Sequence, residues 1–208
     1  MKKLLVLIFS LFLLSSPTVF ADDISDFEIE GMSIGDSLLD YMTEEEILEE
    51  IELNKDDYPY LNEPNKYVEI YFWKVLPTYD NGLSVFVKNN STNQYITNKN
   101  KKYTILSIYG MMNYIENFDS CIAKRNEISE IISGMFPNEQ KIEGDFAHPS
   151  DPSGKSIIDR ISFHFDSGEQ INTECMDFDE TFRIKSNLNE GLTVSILSEE
   201  IINWFSDY

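Results

Sequence analysis

Two cysteines in a chain of 208 residues constrain this sequence more than any other feature. Cys175 lies on the second strand of a hairpin read from Ile157 to Phe178, IIDRISFHFDSGEQINTECMDF, and Cys121 lies on a helix expected over Asn117 to Phe136. In the first strand Ile157, Ile161, Phe163 and Phe165 alternate with Arg160, Ser162, His164 and Asp166, giving one apolar and one polar face. Asp166-Ser167-Gly168 reads as a three-residue turn with Gly168 left-handed. That turn sets Phe163 opposite Ile171, Ile161 opposite Thr173 and Asp159 opposite Cys175. A two-residue turn would instead put His164 beside Ile171, against the pattern. Cys175 therefore faces the core, where a covering helix presents Cys121.

The first residues indicate export. Lys2 and Lys3 precede an apolar run from Leu4 to Leu14, and Val19 and Ala21 occupy the −3 and −1 positions of a cleavage site. Residues 1–21 are expected to be a signal peptide and residues 22–208 one mature domain. The run is about half the length of a bilayer span, so no integral membrane association is expected after cleavage. A periplasmic or extracellular address favours disulfide formation. Closing the loop between Cys121 and Cys175 is worth about 4 kcal/mol in the chain-entropy view.

The formal net charge is −21, and removing the lysines of the leader makes the chain more acidic still. Such a surface repels phosphate backbones and anionic headgroups, which excludes nucleic acid as a partner. His148 and His164 are the only histidines, and no Cys/His spacing fits a zinc site. Asp177, Asp179 and Glu180 lack the spacing and the glycine of an EF-hand and read as a solvated acidic loop. No metal and no cofactor are expected.

In chain order, Phe27 to Glu30 alternates like a short strand, and Asp36 stands where it would cap a short helix. Thr43 and Glu46 form a capping box, with Met42 and Ile47 as its hydrophobic staple, for a helix burying Ile47, Leu48 and Ile51. Tyr67 to Leu76, Leu83 to Lys88, Asn93 to Thr97 and Tyr103 to Met112 read as strands, with Asp80-Asn81-Gly82 a hairpin turn. The gaps are too short for crossover helices, so these strands form an antiparallel meander. On the Cys121 helix, Arg125 and Ser129 interrupt the apolar stripe. Asn138 to Ser156 reads as a polar loop, and Asp177 to Glu190 as irregular chain. Leu192, Val194 and Ile196 form a last strand, and Ser198 caps a final helix carrying Ile201, Trp204, Phe205 and Tyr208. The expected fold is α+β: an antiparallel sheet, meander plus C-terminal hairpin, with helices packed on one face.

Gly35-Asp36-Ser37-Leu38 resembles the first block of the GDSL or SGNH-type esterases, and Asp145-Phe146-Ala147-His148-Pro149 resembles their late Asp-x-x-His. The resemblance implies Ser37 as nucleophile, His148 as general base and Asp145 as the group orienting the imidazole. Gly82 and Asn113 stand in the order of that family's oxyanion-hole blocks, but Tyr114 follows Asn113 where the family has Asp. The family's fold is a parallel sheet with helices between strands, which the meander leaves no room for. As a whole, the chain also resembles a family of small exported proteins of unassigned activity from marine alphaproteobacteria. The GMSIGDSLLDY opening, the Cys121 helix, the HPSDPSGKS loop and the Cys175 strand carry that likeness. It implies export and assigns no residue a role.

The leading expectation is a non-catalytic periplasmic or secreted binding module, whose partner is a protein or a small molecule. The loop from Asp145 to Ser156 and the polar outer face of the hairpin are the places for a ligand. The alternative is a serine esterase using Ser37, Asp145 and His148. Protein recovered from outside the cytoplasm should begin at Asp22 on N-terminal sequencing; retention of Met1 would remove the leader reading.

Overall fold

A computed structural model describes residues 23–54, 66–72, 78–90 and 101–207. The expected leader, the loop at 55–65, the part of the first strand beyond Phe72, the strand at 93–97 and Tyr208 lie outside the described residues. The strands are β1 (Tyr67–Phe72), β2 (Leu83–Asn89), β3 (Tyr103–Asn113), β4 (Gln140–Ala147), β5 (Ile157–His164), β6 (Gln170–Asp177) and β7 (Gly191–Leu197). The α-helices are α1 (Glu44–Asn54), α2 (Phe118–Met135), α3 (Glu180–Ser186) and α4 (Glu199–Ser206).

The strands form one sheet in the order β1-β2-β3-β7-β6-β5-β4, and every neighbouring pair is antiparallel. This is the expected α+β arrangement of an antiparallel sheet with helices packed on it, although the helices occupy both faces rather than one. Each half is a meander, and β7, the last strand made, is inserted between β3 and β6 to join them. Its residues Gly191 to Leu197 are all buried, as a central strand requires. The β5–β6 hairpin has the expected register, with Phe163 opposite Ile171 and Asp159 opposite Cys175. Gly168 sits at φ +91 in the turn, where a side chain would be strained.

Helix α2 lies across β6 and β7 on what we call the inner face. A disulfide joins Cys121 to Cys175, with the Cα atoms 5.9 Å apart. One turn further along α2, Arg125 pairs with Asp159, the residue directly opposite Cys175 in the sheet. Another turn on, Ser129 shares a 2.8 Å hydrogen bond with Thr173. Ile132 and Phe136 complete the seam, Phe136 meeting Phe165 edge-on at 5.0 Å. Arg125 and Ser129 thus do not interrupt the buried stripe but belong to it, at i, i+4 and i+8 from Cys121. Each polar group on this line has a partner, which is what makes its burial tolerable.

The first helix starts at the expected capping box: Thr43 N–H donates to Glu46 Oε2 at 2.9 Å, and Glu46 N–H to Thr43 Oγ1 at 3.3 Å. Ile47 is buried beneath it, whereas Leu48 is exposed, contrary to the sequence reading. Helix α4 lies on the outer face. Its Ile201, Trp204 and Phe205 pack on Tyr67, Phe86, Leu106 and Leu197, forming a cluster separate from the inner core. A register shift between Phe86 and Val87 supplies part of that surface. Phe86 faces Ser107 and Val87 faces Ile105, so Leu106 is the extra residue of a bulge and joins the outer cluster.

Three other segments differ from expectation. Phe27 to Glu30 makes no strand, only a bridge between Ile29 and Met32 around left-handed Glu30 and Gly31. Residues Gln140 to Ala147, read as loop, form edge strand β4, paired with β5 residue for residue yet exposed along its whole length. Within the supposed irregular stretch, Asp179 caps α3 by accepting from the N–H groups of Thr181 and Phe182. The seam makes a stability prediction. Replacing Cys121 and Cys175 together by Ala should cost about 4 kcal/mol in urea unfolding. No change would mean that sheet register and packing hold α2 without the bond.

Candidate functional site

Among the described residues the outer face of the sheet is only partly roofed, and its strands carry polar side chains there. Following the register across the face, one row runs Tyr71, Ser84, Tyr109, Ser195, Asn172 and Ser162. The next runs Met111, Thr193, Glu174 and Arg160. Serine, threonine and asparagine are short, so the floor is low between taller neighbours. Aromatic side chains of β1 to β3 rise on one side, Arg160 on the other, and Phe205 of α4 overhangs the middle. The result is a trough of two adjoining cavities, about 380 Å³ and about 320 Å³, which share Tyr109, Glu174 and Phe205. Each volume is of the size that small-molecule sites occupy.

Two carboxylates stand in its walls. Glu69, 9 % exposed, accepts a hydrogen bond from Ser84 Oγ. Glu174 Oε1 accepts from Arg160 Nε, and the Arg160 guanidinium also lies over the Phe146 ring, 4.7 Å from its centre. Between the two acids, burial pushes the Tyr109 phenol well above the ordinary tyrosine value, and the charges of Glu174 and Glu69 add to the rise. Tyr109 is therefore neutral at any physiological pH and can both donate and accept a hydrogen bond. Asn172, 7 % exposed, lines the second cavity, and its Oδ1 has no hydrogen-bond partner among the described residues.

The esterase residues are placed apart. Ser37 pairs with Thr104 at the start of β3. Gly35 N–H donates to Ile105 O, and Ile105 N–H to Asp36 O, both at 2.9 Å. Strand β7 stops at Leu197, opposite Ser107, so the Gly35-Asp36-Ser37 segment satisfies the part of β3 that β7 leaves bare. Asp36 accepts from Ser33 N–H and Tyr41 Oη, pinning its turn. His148 follows the edge strand β4, four strands from β3 and at the other end of the sheet. Counting along β3 and across four strand spacings gives roughly 30 Å by 19 Å between the two positions. The imidazole Nδ1 accepts from Ser150 N–H at 3.3 Å rather than meeting Asp145, and the ring packs against Phe178 and Phe182. Burial holds its pKa below the ordinary histidine value.

The loop expected to hold a ligand is a tight, self-satisfied turn. Asp151 accepts from the backbone N–H groups of Ser153 and Ser156 and from both hydroxyls, at 2.7 to 2.9 Å. Ser156 Oγ in turn accepts from Asp179 N–H at 2.9 Å, linking the turn to the cap of α3. These groups are spent on one another. Among the described residues no three His, Cys, Asp or Glu side chains gather as metal ligands, and no helix is long and apolar enough to cross a membrane.

Of the residues singled out from sequence, Arg160 and Ser162 belong to the outer face and Arg160 lines the trough. Glu69, Tyr109, Asn172, Glu174 and Ser195 were missed as a group. Their common signal is that they occupy the strand phase opposite the core residues. No family model, no curated protein and no solved structure matches this chain. The carboxyl of Asp151 makes a pH prediction. The Ser156 hydroxyl, foremost among its four donors, holds its pKa well below the ordinary 3.8. A depressed folded value means that its stabilisation is complete above the ordinary carboxylate range and is lost only as pH falls through the depressed value. Its carboxyl ¹³C resonance should therefore stay unchanged through pH 3.8; a midpoint there would show the four bonds to be weak.

Proposed function

We propose that this is an exported, non-catalytic binding module whose small-molecule ligand lies in the outer-face trough. The observation that carries the reading is the combination of low polar floor, aromatic overhang and partly buried carboxylates in one concavity. Polar groups held beneath an open cavity are a costly way to finish a sheet face unless something occupies them. The rest of the fold supports a receptor role. The inner seam is rigid and covalently closed, so the floor of the trough is presented on a fixed platform. A buried disulfide suits the oxidising compartment that the leader-like first residues indicate. Among the described residues no nucleophile, base and orienting acid come together in the trough, and binding rather than turnover is the function inferred.

The test is a thermal-shift screen of purified protein against small polar and charged metabolites, repeated on Ser195→Phe, which fills the floor. A ligand at one hundred times its Kd stabilises a fold by about 2.7 kcal/mol, worth about 5–10 °C in a domain of this size. Hits should lose their effect on Ser195→Phe while its far-UV circular dichroism stays unchanged. Should Ser195→Phe fail to fold, Thr193→Leu fills the neighbouring position with less volume and serves the same purpose. Hits that stabilise a folded, filled variant as strongly as the parent would place the ligand elsewhere and sink the reading.

A further inference from the structure

Given the binding reading above, on which this inference rests, the second cavity of the trough restricts the chemistry of its ligand. At about 320 Å³ it lies at the small end of the range that small-molecule sites occupy. Its lining carries one guanidinium, Arg160, and one carboxylate, Glu174. The two are joined, Arg160 Nε donating to Glu174 Oε1, and the guanidinium also lies over the Phe146 ring. The formal charges of the lining therefore cancel. An anion would have to draw Arg160 from both partners, and a cation would have to draw Glu174 from Arg160. Either exchange leaves one charge of a partly buried pair uncompensated, which is costly. A neutral ligand leaves the pair intact.

Beside that pair, Asn172 is 7 % exposed, and its Oδ1 has no hydrogen-bond partner among the described residues. Ser162 and Ser195 flank it across the sheet, both buried, and neither hydroxyl bonds it. A buried amide oxygen without a donor is costly, so the position calls for a donor on the ligand. An amide turned end for end presents a donor there instead. A hydroxyl, which both gives and accepts, answers either orientation. Gln170, Ser195 and Tyr109 bring further groups of that double capacity to the same space. The remaining wall is apolar: Leu197, Ile202 and Phe205. A ring of hydroxyls on a C–H skeleton matches both walls, because an aromatic face attracts hydrogens of partial positive charge.

We propose that the second cavity binds a neutral sugar of the hexose class, its hydroxyls toward Asn172, Gln170 and Ser195 and its C–H groups against Ile202 and Phe205. A free monosaccharide and the terminal unit of a longer glycan share this chemistry. The first cavity adjoins through Tyr109, Glu174 and Phe205, so a second sugar unit has space to continue there. Occupation of that space separates the two sources.

Isothermal titration calorimetry of the purified protein tests this with glucose, galactose and mannose, and with maltose, cellobiose and lactose as glycan ends. Cyclohexanol keeps a ring without the set of hydroxyls, glucuronate adds a negative charge and glucosamine a positive one. Binding is expected for at least one neutral sugar, at least tenfold tighter than for cyclohexanol. A disaccharide that binds when its monosaccharides do not supports the glycan end. Asn172→Leu separates a binding role from a structural one. It replaces an unbonded amide oxygen by an apolar group of similar size, so the unliganded variant should melt no lower than the parent. Its sugar affinity should nevertheless fall tenfold or more. Should that variant fail to fold, Ser195→Ala removes the neighbouring hydroxyl without adding volume and should weaken the sugar about threefold. The proposal is overturned if no sugar binds, if cyclohexanol binds as tightly, or if glucuronate or glucosamine binds tenfold tighter than every neutral sugar. Full sugar affinity in the folded variant overturns it too. If the sugars fail while another ligand binds and is lost in Ser195→Phe, the sugar assignment falls and the binding reading stands. If no ligand of any kind depends on Ser195, both fall.

Discussion

The bond between Cys121 and Cys175 ties the only long helix of the described residues to the middle of the sheet, and the positions of the other elements follow from it. Cys175 is opposite Asp159 on one side and Leu192 on the other, so the cross-link sits where β5, β6 and β7 meet. Arg125 and Ser129 continue the same line, one turn apart, and each finds its partner on β5 or β6. A covalent bond, an ion pair and a hydrogen bond at successive turns leave α2 no freedom to slide or roll. A slip by one turn would bury an unpaired guanidinium, a penalty of several kcal/mol. The sequence separation of 54 makes the bond long-range, so it ties α2 to β6 rather than stapling one hairpin.

With the inner face committed to α2 and the N-terminal segment, α4 is the helix that the described residues place on the outer face. Its eight residues span about 12 Å, whereas seven strands are about 29 Å across. One short helix cannot roof such a sheet. It settles over β1, β2 and β3, where Tyr67, Phe86 and Leu106 offer apolar area, and is held there by Glu200, which accepts from Lys88 at 2.7 Å and Tyr67 at 2.8 Å. The trough is the boundary between the roofed and the open parts. Its floor is polar where no helix of the described residues buries it, and low because its residues are short.

How far the sequence reveals this depends on how local each determinant is. The hairpin register was legible because one residue, Gly168, and a clean alternation decide it within twenty residues. The disulfide followed from that register. The polar members of the α2 seam were misread because propensity rules treat Arg and Ser as surface residues, and only the distant partners Asp159 and Thr173 make them otherwise. Strand β4 was missed because an edge strand with no buried residue carries little hydrophobic signal, although Lys141, Ile142 and Glu143 do alternate. The trough lay beyond sequence reasoning for a different reason. Its residues come from six strands and α4, and the insertion of β7 between β3 and β6 is a tertiary fact. The apolar stripe of α4 shows that the helix packs but not against which face. The Gly35-Asp36-Ser37 motif, read chemically from sequence, also has a local task that sequence does not show, pairing with the bare end of β3.

The strongly acidic surface and the trough are two separate electrostatic features, and they act at different ranges. A net charge of −21 spread over the whole chain produces a field that physiological salt screens beyond about 8 Å. That field speeds the arrival of any cation and distinguishes poorly between them. Contacts inside the trough act at short range instead, where side chains are partly withdrawn from water. A protein built only to be soluble would need the first feature and not the second. The second sets polar side chains beneath an open concavity, where burial without a partner costs folding stability.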